Sequence, residues 1–160
     1  MTDPRLEALR ATRLAAELTD PQAQALADVL TLRDLKAGDV LVQEGSTDNH
    51  LYVIVKGVLG VVKNAGTPEA VALHTLSAGD FVDELGFIDG TPYYASKVAM
   101  SDLTVLGLAR ERLEGMLRDH PEVVYRVMRA IVRVAHQIQR RLAMQQAELS
   151  NYIFKQHGRY

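Results

Sequence analysis

The chain has 160 residues, a formal net charge of −2 and no cysteine, which sets one domain with a sizeable core and excludes disulfides, iron–sulfur clusters and thiolate zinc sites. The charge argues against a protein that is globally a nucleic-acid or anionic-membrane binder. No run of about 18 apolar residues marks a membrane span, and the N-terminus lacks the long apolar stretch of a secretory signal, so the cytoplasm is the expected location.

The predicted elements begin with an N-terminal helical segment, residues 1–30. Leu6, Leu9 and Leu14 stand at helical spacing and predict a helix over 4–17. A second short helix opens at Thr19 or Asp20, either of which can cap it, with Pro21 in the first turn where its missing N–H is no loss. From Leu32 the pattern becomes β-branched and is cut every 6–12 residues by turn signals such as Ala37-Gly38-Asp39, Glu44-Gly45-Ser46 and Gly57. Short strands with such punctuation predict a β-sandwich, jelly roll or small barrel over residues 31–109. The polar Asn64–Glu69 stretch is placed as a hairpin loop. Helices resume over 110–155: a short one in "RERLEGMLRDH", ended by His120-Pro121, and a long one from about residue 121 to about Tyr152.

The charge is uneven. Residues 1–118 carry 11 Lys/Arg against 17 Asp/Glu, and residues 119–160 carry 7 against 3. The long helix therefore forms a separate basic region. Along it Val124, Met128, Ile131, Ala135, Ile138, Leu142, Gln145, Leu149 and Tyr152 alternate in steps of four and three, a heptad seam. A seam of some 30 residues, roughly 45 Å, outruns any roll this chain can build. A parallel homodimer through this helix is expected, with Val123, Val127 and Val134 anchoring its base on the roll. On this reading Glu at both 131 and 138 gives a monomer with a folded roll. Arg126, Arg129, Arg133, Arg140 and Arg141 lie largely off the seam, as a solvated face or a surface for an acidic partner.

Two stretches carry a family resemblance. "KAGDVLVQEGSTDNHLYVIVKGVLGVV" has Gly38, Leu41, Glu44-Gly45, Leu51-Tyr52, Ile54, Gly57 and Val61 at characteristic places, and "LSAGDFVDELGFIDGTPYYAS" follows it. They resemble the two halves of a cyclic-nucleotide-binding domain, the second being its phosphate-binding cassette, here at residues 79–96. The similarity covers roughly residues 15–150 and is greatest to the bacterial catabolite-activator and fumarate–nitrate-regulator branch. It implies a mainly β fold with flanking helices: a double-stranded β-helix (jelly roll), N-terminal helices and a long C-terminal dimerisation helix. It implies a sensory or regulatory protein rather than an enzyme. In that branch a helix-turn-helix domain follows the exit helix, but only "FKQHGRY" follows Ile153 here, so this chain is not expected to read DNA itself.

The resemblance also assigns a pocket. A cyclic phosphate is held by converging N–H groups at a helix start, by a glycine that admits close approach and by an arginine with paired donors. The family order is Gly-Glu at the short helix, then Pro-Arg-Ser/Thr-Ala. Glu84 matches the ribose carboxylate, Leu85 and Gly86 follow it, and Ala95-Ser96 match the end of the pattern. The glycine is replaced by Asp83 and the arginine by Tyr93, with Tyr94 next, and Lys97 is the only nearby cation, beyond the cassette. The site thus loses a positive charge and gains a negative one. Each charge pair at about 4 Å is worth up to roughly 4 kcal/mol before screening at an effective dielectric near 20. Ordinary cAMP or cGMP binding is therefore not expected, and no cofactor is assigned. A vestigial pocket filled by Tyr93 and Tyr94, or one for a neutral or cationic ligand, fits the residues better; aromatic faces beside carboxylates suit a cation. The five histidines, 50, 74, 120, 136 and 157, form no close metal pair. No P-loop, G-x-S-x-G or zincin motif supplies catalytic chemistry. The expected function is a dimeric regulator signalling through a partner protein, the alternative a receptor for a cyclic nucleotide or another small ligand bound in an altered mode.

Overall fold

A computed structural model describes residues 3–157. Helix α1 spans Pro4–Arg10, capped by the Asp3 carboxylate, which accepts from the Arg5 N–H. The single predicted helix over 4–17 breaks after Arg10. The Thr12 hydroxyl donates to the Leu9 carbonyl at 2.8 Å, and a 3₁₀ turn follows at Arg13–Ala15. A threonine bonding back to the last turn competes with helix propagation, a local effect that apolar spacing does not reveal. Helix α2, Asp20–Ala27, begins as expected: Thr19 and Gln22 form a reciprocal capping box, with Pro21 in the first turn.

Eight strands form two antiparallel four-stranded sheets. One has the order β1 (Thr31–Leu35), β8 (Leu103–Ala109), β3 (His50–Lys56), β6 (Phe81–Val82). The other has β2 (Val40–Val42), β7 (Ser96–Ala99), β4 (Leu59–Lys63), β5 (Val71–Leu76). The Asn64–Glu69 stretch lies in the β4–β5 hairpin connection. Strand β3 is apolar at consecutive positions because both faces of its sheet are covered. Leu51 and Val53 point into a core shared with the helices, whereas Tyr52 and Ile54 point into the roll interior. Strand β8 divides in the same way, Leu106 and Leu108 against Leu103 and Val105. The turn before β4 requires Gly57, whose φ is +98° and where a Cβ would stand 2.2 Å from the Asp102 carbonyl oxygen.

Three more helices complete the chain: α3 at Glu84–Asp89, α4 at Arg110–Gly115 and α5 at Pro121–His157. The long helix runs five residues past the predicted end, to His157. Its first half is bound into the helical core. Val123, Val124, Val127, Ala130, Ile131 and Val134 are buried with Leu9, Leu14 and Leu26. This corrects two members of the predicted seam. Val124 and the fully buried Ile131 are covered by the chain's own N-terminal helices and β-sheet, not by a facing helix. A glutamate at 131 would therefore enter the core, and the expectation that the roll survives it is withdrawn. From residue 139 to 156 every residue of α5 is exposed.

The arginines of α5 also find a partner that periodicity did not show. Arg129 Nε and Arg133 Nη1 donate to Glu17 Oε1 at 3.0 and 3.2 Å, and Arg126 donates to the Glu17 backbone carbonyl. Three of the five arginines thus clamp the exit helix to the N-terminal segment.

Candidate functional site

Asp83 precedes α3 with φ +51° and ψ +55°, the left-handed region. That conformation explains why a glycine is the family's choice there, and aspartate is among the few residues that tolerate it. Its carboxylate folds over the first turn of α3: a Cβ on Gly86 would stand 2.3 Å from Asp83 Oδ2. The missing Cβ of Gly86 thus makes room for the Asp83 carboxylate. Burial lifts the Asp83 carboxyl above its ordinary value, with the Lys97 charge opposing. Burial lifts Glu84 as well, and the neighbouring Asp83 charge adds to it. Both ionised groups therefore weigh against folding at neutral pH. Asp83→Gly is expected to raise stability by about 0.5–1 kcal/mol, since release of left-handed strain (roughly 1–2 kcal/mol) exceeds the entropy a glycine adds to the unfolded chain. The urea midpoint at pH 7 checks this; a fall would show that the Asp83 contacts outweigh the strain.

Tyr93 is anchored to the turn before β3. Its ring is buried, and its hydroxyl donates to Asp48 Oδ1 at 2.6 Å. Asp48 Oδ2 accepts from the Tyr52 hydroxyl at 2.8 Å, and Oδ1 also accepts from the His50 N–H at 3.2 Å. The Tyr93 N–H and carbonyl are tied to Ser46 and Gly45, at 3.0 and 2.7 Å. The return of the cassette is therefore pinned to the turn before β3. Only about 10 Å³ of space remains between the Asp48 turn and α3, so Tyr93 closes that region.

Beside it a cleft of about 650 Å³ opens between β4–β5, the start of α3, β7 and the middle of α5. Of the predicted pocket residues it brings together Asp83, Glu84 and Tyr94. Leu85 is instead half-exposed, outside the cleft, and Gly86 faces the Asp48 turn. Ala95 is buried, and the buried Ser96 accepts the Glu44 N–H on its hydroxyl at 3.0 Å. These residues hold the cassette in shape.

Three cations line the same cleft: Arg13, Lys97 and Arg141. Sequence reasoning placed Lys97 beyond the cassette. In the fold it lies inside, 2% exposed, with Nζ 4.5 Å from the Tyr94 ring centroid and 5.7 Å from that of Tyr93. The shared strand face of Ala95 and Lys97 was the available signal. Arg13 and Arg141 gave none, being far away in sequence. Lys97 thus lies against the tyrosine faces that a cationic ligand was expected to use. Asp80 and Ile138 complete the wall on either side, and Leu142, 60% exposed, lies on it too. Among the described residues no cluster fit for a metal ion is present, and no helix is long and apolar enough to cross a membrane.

A jelly roll closed by an exit helix, with a cleft between them behind a short helix, defines the class of fold. Residues 32–120 match the cyclic nucleotide-binding domain family, and the chain belongs to it. The chain is 30% identical over 128 residues to the Pycsar effector protein BcPycTIR of Burkholderia cepacia, covering 79% of this chain and 40% of that protein. It spans 40% or less of the curated relatives it matches, which include Drosophila neuropathy target esterases at 9%. Among solved structures, the N-terminal domain of a transcriptional regulator from Streptomyces coelicolor A3(2) is 27% identical with a TM-score of 0.69, covering 82% of this chain and 94% of that one. A cyclic nucleotide-binding domain from Methylobacillus flagellatus shares the fold at 22% identity, with a TM-score of 0.73 and coverage of 85% and 76%.

Proposed function

We propose that this protein is a dimeric regulatory module of the cytoplasm, without catalysis of its own, that signals through a partner protein and whose cassette no longer holds a cyclic phosphate. The observation that carries this reading is the capture of Tyr93 by Asp48 at 2.6 Å, on the side of the cassette away from the cleft. The position that would present a guanidinium to a phosphate is committed to the scaffold, and Asp80, Asp83 and Glu84 line the cleft instead. The dimer is supported by the second half of α5. Leu142, Leu149 and Ile153 are exposed there, and Val132 continues the same stripe towards the roll. With the half-buried Met128 before Val132 and Ala135 after it, these residues make a heptad face that keeps one position of the predicted seam, Met128, Ala135, Leu142 and Leu149, and shifts the other by one residue, from 131 and 152 to 132 and 153. A second copy of α5 is the natural cover for it.

A second reading, a small ligand bound in an altered mode, is favoured by the three cations of the cleft. Calorimetric titration with cAMP, cGMP and cyclic dinucleotides separates the two. cAMP is expected to bind more weakly than about 100 μM, a free energy under roughly 5.5 kcal/mol; low-micromolar binding would overturn the proposal. Asp83→Gly with Tyr93→Arg is expected to raise cAMP affinity only modestly, because Asp48 would capture the new guanidinium. Adding Asp48→Asn should raise it further, by about tenfold or more, as one charge-assisted pair is released. The ranking triple over double over wild type, measured on folded variants, is the check.

A further inference from the structure

Lys97 is the buried cation of the cleft, and among the described residues the fold leaves it without a counter-ion. It is 2% exposed, yet its ammonium, with three protons to place, makes a single 3.4 Å hydrogen bond, to the Ala95 carbonyl. Among the described residues no carboxylate lies within 4.0 Å of it, although the Asp83 charge is felt there. Lys97 and Asp83 both line the cleft of about 650 Å³, which has room for a small polar molecule. The half-exposed Tyr94 ring covers the ammonium, and among the described residues its hydroxyl makes no hydrogen bond that would hold it there.

The remaining charges narrow the occupant; Arg141 is exposed and keeps its water, so the desolvated charges decide. Asp80 is committed: Oδ2 accepts from the Ser77 N–H at 2.9 Å, and Oδ1 lies 3.9 Å from Arg13. Asp83 and Glu84 are half-buried and face the cleft without an ion pair among the described residues. A simple anion meets these two carboxylates. A simple cation finds the tyrosine faces occupied by Lys97. An uncharged apolar molecule leaves all three charges desolvated and unpaired, which is the most costly outcome. A molecule carrying both charges satisfies both sides, and Val61, Leu76 and Ile138 offer an apolar wall beside them.

We propose that the cleft takes a zwitterion of the amino-acid class, with its acid group on Lys97, its amine between Asp83 and Glu84, and an apolar body along Val61, Leu76 and Ile138. This rests on the reading above that the cassette has lost its cyclic-phosphate chemistry. The test is calorimetry on the full chain with L-phenylalanine, L-leucine and L-leucyl-L-leucine. Hydrocinnamate, which lacks the amine, and phenethylamine, which lacks the acid, are the matched controls. At least one zwitterion is expected to bind below about 1 mM, and each control to lose tenfold or more through an unpaired buried charge. Lys97→Met and Asp83→Asn should abolish binding, and Tyr94→Ala, at a half-exposed position, should tighten it about fivefold by removing the ring that competes for the ammonium. No zwitterion binding at about 5 mM, or a control binding as well as its parent, overturns the inference. If Lys97→Met fails to fold, the control comparison on the wild type and the Tyr94→Ala direction decide alone. cAMP binding in the low-micromolar range would instead bring down the functional reading on which this one stands.

Discussion

Ile131→Ala is expected to cost about 2–5 kcal/mol of folding stability, whereas Val132→Glu with Leu149→Glu should leave the domain folded and convert a dimer to monomer. Ile131 is fully buried against the N-terminal helices and the β-sheet, while its neighbour Val132 is 57% exposed. One residue turns the helix by about 100°, enough to move a side chain from core to surface. Truncating Ile131 leaves a cavity lined by the helical core, and Ile131→Glu would put an unpaired charge there and unfold the domain. Glutamates at 132 and 149 meet only water in the isolated chain, but repel their counterparts across a paired seam. Denaturant unfolding reads the first effect and sedimentation velocity the second. A wild-type protein that sediments as a monomer at tens of micromolar would overturn the dimer, as would a double-glutamate variant that remains dimeric. An Ile131→Ala loss below about 1 kcal/mol would contradict its place in the core.

Asp48→Ala is expected to cost about 2–6 kcal/mol, because it strips two buried tyrosine hydroxyls of their acceptor at roughly 1–3 kcal/mol each. Tyr52 and Tyr93 are 7% and 6% exposed, and both hydroxyls end on this carboxylate. The same cluster sets an alkaline limit. Burial, reinforced by the Asp48 contact, pushes both phenols well above their ordinary value near 10. A group whose folded pKa is raised contributes stability that is full below its unfolded pKa and is lost as pH rises above it. Each tyrosine therefore withdraws about 1.4 kcal/mol by pH 11, about 3 kcal/mol together. Tyr52→Phe with Tyr93→Phe should flatten this decline between about pH 10 and 11 while lowering stability at pH 7. Unfolding midpoints across that range check it, and an equally steep decline in the double variant would show that other groups carry it.

Several features were legible in the residues alone. The period-two strands, the Gly57 turn, the Thr19 cap and the cassette text identify the roll and its family, because these signals are local and act through the backbone of adjacent residues. The loss of the cassette arginine was equally plain, since a missing residue type needs no coordinates. The fate of what replaced it was not. Tyr93 could fill the cleft or leave it, and only the approach of the Asp48 turn, 45 residues earlier, settles that it leaves. Lys97 and Arg13 enter the cleft because β7 and the 3₁₀ turn border it, a consequence of strand order and of how the N-terminal segment packs on α5. The exit helix shows the division most clearly. Its heptad spacing fixed that two apolar stripes share one helix, but a stripe 100° wide does not name its partner. The helical core claimed Val124 and Ile131, and so shifted one of the two seam positions by one residue, to Val132 and Ile153, while Leu142 and Leu149 stay. Periodicity records which residues avoid water; which surface hides them depends on contacts between segments distant in the chain, and those exist only once it has folded.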